Sequence, residues 1–100
     1  MVHLEHGEVS HLRTVISGKV QGVGFRYFLM RKATTLGLVG YVQNAGSYDE
    51  VEIVAEGYFT HLESFLGAVR RGPPGARVDH LTSNWDKPTG HYKTFSVNHT

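Results

Sequence analysis

The order of hydrophobic periodicities in this 100-residue chain predicts an α+β fold, with two helices on one face of an antiparallel sheet. Three observations carry the prediction. Stretches of alternating and of helical spacing follow one another as strand, helix, strand, strand, helix, strand, with a short strand behind. A turn-rich segment joins the second and third strands as a hairpin, so the chain divides into two strand–helix–strand units. Right-handed crossovers place both helices on the same side of the sheet. This is the split βαβ, or ferredoxin-like, arrangement.

Each element has a local reason. "HLRTVIS" (11–17) alternates, with β-branched Thr14, Val15 and Ile16 in its middle. Phe25, Leu29, Ala33 and Leu36 recur at helical spacing, and Gly37 stands where a left-handed cap ends that helix. "LVGYVQN" (38–44) reads as the second strand. "EVEIVAE" (50–56) reads as the third, with Val51, Ile53 and Ala55 on one face. The residues between them include Gly46 and Asp49, which suit a hairpin turn. Phe59, Leu62, Leu66 and Val69 mark a second helix. Arg70 and Arg71 suit its negative end, and the prolines of "GPPG" forbid its continuation. "ARVDHLTSNW" (76–85) and "KTFSVNH" (93–99) read as the fourth and fifth strands. Residues 1–10 read as a flexible tail ahead of a single domain spanning 11–100.

Composition removes several classes of function. Ten Lys or Arg against nine Asp or Glu leave a formal charge of +1, too small for the basic face that nucleic-acid binding asks for. RNA-recognition domains share this order of elements but stack bases on aromatics of the first and third strands. Those strands carry none here, and the third has three glutamates. Cysteine is absent, which excludes disulfides, thiolate metal sites and cysteine nucleophiles. The opening "MVHLEHGEVSH" is too polar for the apolar core of a secretion signal, and no stretch approaches the roughly 18 apolar residues of a membrane helix. A cytoplasmic monomer with a small-molecule ligand is the expectation, with neither nucleic acid nor membrane as partner. A site for a small anion survives these exclusions.

"SGKVQGVGFR" (17–26) is the candidate. Gly18, Gly22 and Gly24 fit neither the dinucleotide nor the P-loop pattern, and glycines before a helix can be a turn and nothing more. Arg26 weighs the other way. It sits in the first helical turn, where the helix dipole disfavours a cation unless an anion lies beside it. Asn44 ends the second strand, where Asn is common simply as a turn residue. The intervening helix brings the second strand back to finish near the glycine loop, so Asn44 can also face that loop. His3 and His6 could pair on a helix but lie in the polar tail, His61, His80, His91 and His99 show no ligand spacing, and no metal or cofactor is expected. Glu50, Glu52 and Glu56 read as a solvated strand face.

"GKVQGVGFRYFLMRKATTLGLVGYVQN" (18–44) resembles the signature of the acylphosphatases, and the likeness continues through "PPGARVDHL" to the terminal "FSV". Members of that family are small, metal-free enzymes of the ferredoxin-like fold that hydrolyse acyl phosphates to a carboxylate and phosphate. The resemblance implies that Arg26 binds phosphate and that Asn44 orients the attacking water. It implies a backbone phosphate cradle over Val20, Gln21, Gly22, Val23, Gly24 and Phe25. Inorganic phosphate is then the product or inhibitor, and no cofactor is used. A catalytically silent phosphate-binding module of the same fold is the alternative. One departure stands out: members commonly place an Asp-Gly-type turn five residues after the asparagine. Here six residues without Asp-Gly separate Asn44 from Val51, which bears on substrate-group preference.

Overall fold

The computed structural model describes residues 7–46 and 49–99. Its elements are β1 (Val9–Lys19), α1 (Phe25–Thr35), β2 (Val39–Ala45), β3 (Glu50–Tyr58), α2 (Phe59–Arg71), β4 (Arg77–Asp86) and β5 (Phe95–Asn98). The strands lie in the order β4-β1-β3-β2-β5. The first four form the expected antiparallel sheet, but β5 runs parallel to β2, so the five-stranded sheet is mixed. The reason is topological. β4 finishes at the sheet end where β2 starts, and a strand re-entering from that end must run alongside β2. The carboxyl ends of β1, β2 and β5 therefore share the other end.

Strand alternation sorts the side chains into two faces. Leu12, Thr14 and Ile16 pair with Ala55, Ile53 and Val51, and all six are buried on the helix side. Phe25, Leu29 and Ala33 from α1 and Leu62, Phe65, Leu66 and Val69 from α2 complete that core. Thr14 is its polar member, and its hydroxyl meets that of Ser83 at 3.3 Å. Helix α1 ends as its glycine foretells. The N–H groups of Gly37 and Leu38 donate to the carbonyls of Thr34 and Ala33, closing a Schellman motif.

Two expectations need correction. The sequence marks residues 1–10 as a flexible tail, but β1 begins at Val9, opposite Tyr58, and the Glu8 carbonyl accepts from the first N–H of α2 at 2.7 Å. Residues 1–6 lie outside the described residues. Nor is Glu56 on a solvated face. The connection from β4 to β5 crosses the helix-free face of the sheet, and Glu56 is only 3% exposed beneath it. Its carboxylate accepts from Thr89 N–H (2.8 Å), Thr89 Oγ1 (2.9 Å) and Gly90 N–H (3.1 Å), and meets His11 Nδ1 at 2.6 Å. Burial pushes its pKa upward, but these hydrogen bonds together outweigh it and hold the carboxyl near 2.

Candidate active site

The glycine loop leaves β1 at the shared strand end and is tied there by the hairpin that follows β2. Gly18 N–H donates to the Asp49 carbonyl at 3.1 Å, and the Gln21 amide donates to the Glu50 carbonyl at 2.8 Å. Val20 and Phe25, each 1% exposed, root the loop in the core at both of its ends. Between them Gly22 and Gly24 take φ values of 72° and 73°, and a Cβ at either would meet no atom within 4 Å. The left-handed backbone asks for glycine, and the open side leaves the loop amides accessible.

Helix α1 starts without a cap. Its N-cap is Gly24, no side chain caps it, and no acidic residue stands in its first turn. The first backbone bond into the helix is Phe28 N–H to the Gly24 carbonyl, at 3.0 Å. Among the described residues, no backbone carbonyl accepts from the N–H groups of Gly22, Val23, Gly24 or Phe25. Such a cluster of unpaired donors at the positive end of a helix dipole is suited to an anion.

Arg26 stands in the first turn behind this mouth, and Asn44 lies near the end of β2. The half-buried Arg26 donates from Nη1 to the carbonyl of Asn98, at 3.0 Å, and no carboxylate among the described residues pairs with it. Asn98 is the register partner of Gln43, the residue before Asn44. Asn44 itself lies opposite Val51, so its side chain shares the helix-side face with Val42 and Ile53. Its Oδ1 is buried and, among the described residues, has no hydrogen-bond partner. An orphaned buried acceptor costs roughly 1–3 kcal/mol, so this oxygen suits a further donor. The loop, Arg26 and Asn44 thus all lie at the end of the sheet where β1, β2 and β5 finish.

Other candidates lie elsewhere. His80 is exposed on the edge strand β4, and His91 is exposed on the crossing segment over the helix-free face. His3 and His6 fall outside the described residues, as do Ser47 and Tyr48 of the hairpin whose spacing departs from the family pattern. No group of three His, Cys, Asp or Glu able to hold a metal occurs among the described residues. What sequence reasoning missed is the contribution of β5. The Asn98 carbonyl holds Arg26, and the His99 ring meets the Tyr27 hydroxyl at 3.1 Å. A backbone carbonyl leaves no side-chain signal by which to find it.

Known proteins resemble this chain in sequence and in fold. The family model described as Acylphosphatase matches residues 12–97. An acylphosphatase of Dehalococcoides mccartyi is 46% identical over 88 residues, which are 88% of this chain and 97% of that protein. The crystal structure of acylphosphatase from Bacillus subtilis superposes with a TM-score of 0.84 at 36% identity, covering 89% of this chain and 98% of that one. An acylphosphatase structure from Coxiella burnetii gives 0.82 at 33% identity, covering 90% and 93%. Matched over most of its length in sequence and in fold, the chain belongs to the acylphosphatase family and is an acylphosphatase by activity.

Proposed function

We propose that the substrate's phosphoryl group sits in the loop 20–25, gripped by its backbone amides and by Arg26, and that Asn44 holds the attacking water. The observation that carries this reading is the buried Oδ1 of Asn44, unpartnered among the described residues, at the sheet end that also carries the uncapped helix mouth. Water attacks phosphorus, the bond from phosphorus to the acyl oxygen breaks, and the carboxylate departs with its electron pair. The water's surplus proton passes to the phosphate or to solvent. A carboxylate is a good leaving group near neutral pH, so no general acid is required.

Phosphoryl transfer depends chiefly on positioning and on stabilising charge at the equatorial oxygens. Fixed amides of Gly22, Val23, Gly24 and Phe25 supply that stabilisation without reorganising during the reaction. The guanidinium of Arg26 adds a planar, two-pronged contact. Its bond to Asn98 uses one of five N–H donors and leaves the others for phosphate. Asn44 contributes by proximity, fixing the nucleophile in line with the leaving oxygen.

The same reading makes the enzyme independent of metal and places it in the cytoplasm as a monomer acting on a small molecule. The near-neutral charge and the cysteine-free composition support this, and among the described residues no helix is long and apolar enough to cross a membrane. Hydrolysis of benzoyl phosphate by purified protein, with and without excess chelator, is the test. Equal rates are expected. Activity that disappears with chelator and returns with added metal would overturn the metal-free mechanism. Phosphate binding without any turnover would leave only the silent anion-binding module.

A further inference from the structure

On the helix-free face of the sheet, four side chains form a chain of hydrogen bonds that converges on Glu52 and reaches Arg26 through the backbone of Asn98. Arg13 Nε donates to Glu52 Oε2 at 2.8 Å, and Gln43 Nε2 donates to the other oxygen, Oε1, at 2.8 Å. Asn98 Nδ2 donates in turn to Gln43 Oε1 at 3.4 Å. The carbonyl of the same Asn98 accepts from Arg26 Nη1 at 3.0 Å. Glu52 and Gln43 are direct partners across β3 and β2, and Gln43 and Asn98 are partners across β2 and β5, so the sheet register itself aligns the chain.

We propose that Gln43 and Glu52 are positioning residues: they pin the end of β5 through the Asn98 side chain and thereby aim the guanidinium of Arg26. The inference rests on the reading that Arg26 grips the phosphoryl group. β5 is a four-residue edge strand, and its last residue supplies Arg26 with its carbonyl partner. A short edge strand is paired on one side only, so its end frays unless it is tied down. A side-chain bond from the neighbouring strand, itself braced by a half-buried carboxylate, is such a tie. Its effect on Arg26 is one of angle and occupancy, since among the described residues these side chains hydrogen-bond to one another and not to the loop amides. Misplacing a phosphate-gripping group by a fraction of a bond length costs rate because the transition state demands its alignment.

A double-mutant cycle tests this. Gln43→Met removes the amide while keeping volume, and Asn98→Ala removes the side-chain link while keeping the carbonyl that Arg26 uses. Each is expected to lower kcat/KM for benzoyl phosphate, and to weaken inorganic phosphate binding, by about fivefold, the loss of one ordinary hydrogen bond. In an Arg26→Ala background the same substitutions should change kcat/KM by less than about twofold. A purely structural role would instead lower thermal stability and act equally in both backgrounds. Equal losses with and without Arg26 would overturn the proposal, as would parental kinetics in both single variants. Parental turnover and phosphate affinity in Arg26→Ala would overturn the underlying reading of Arg26 as well. A large loss in Arg26→Ala together with additive cycles would sink the relay alone.

Discussion

Glu56 makes acid stability a quantitative test of the crossing segment. Its carboxylate is held near pKa 2 instead of 4.5 by His11, the Thr89 and Gly90 amides and the Thr89 hydroxyl, against the opposing effect of burial. A folded-state pKa below the unfolded one contributes stability that is complete above the unfolded value. It is lost as pH falls through the window from about 4.5 to about 2. At about 1.4 kcal/mol per pH unit, that window corresponds to about 3 kcal/mol. The perturbation is Glu56→Gln, which keeps the shape, removes the charge and sets an NH2 group against donors. Urea unfolding of parent and variant at pH 7, 5, 4, 3 and 2.5 is the assay. At pH 7 the variant should be about 3 kcal/mol less stable, and the gap should close steadily below pH 4.5. Other carboxylates titrate in the same range, but they do so in both proteins, so the difference between the curves isolates Glu56. Parallel curves down to pH 2.5 would refute the assignment of that stability to the Glu56 carboxylate.

Three further outcomes concern the site. Inorganic phosphate should raise the melting temperature of the parent, because it binds only the folded seat. Arg26→Ala should abolish most of that rise, and Arg26→Lys should recover little of it, as calorimetry with phosphate would show. Asn44→Ala should cut turnover of benzoyl phosphate by several orders of magnitude while phosphate affinity changes by roughly tenfold or less, about 1.4 kcal/mol. Asn44→Asp should bind phosphate worse still, because a carboxylate adds like-charge repulsion. Gly24→Ala should destabilise the fold by only about 1 kcal/mol, the strain of a left-handed alanine, since the new methyl meets open space. The same methyl should weaken phosphate binding more than it weakens folding, measured by calorimetry beside urea unfolding.

The sequence by itself determined every element, because each carries local signals. β-branched alternation marks β1, helical spacing with Gly37 marks α1, and prolines close α2. It also determined the loop, Arg26 and Asn44 as candidates. A cation in an uncapped first turn is anomalous without reference to anything distant, and the crossover rule returns β2 to the loop. These inferences draw on neighbours within a few turns of chain or on handedness, which is a local property of L-residues.

Only the tertiary structure decided the rest. Glu56 lies in an alternating strand and looks solvated, yet a segment about thirty residues later folds across it and converts it into a buried anchor. Alternation reports which face a side chain takes, not what covers that face. β1 extends beyond its sequence signal because Val9 and Ser10 find partners in Tyr58 and Gly57, and pairing between stretches so far apart in the chain leaves no mark on either. The parallel docking of β5 follows from where β4 ends. With it come the Asn98 carbonyl beneath Arg26 and the Glu52–Gln43 brace behind it. Those contacts depend on strand order and register, which are set by how the whole sheet assembles and by no residue's own neighbourhood.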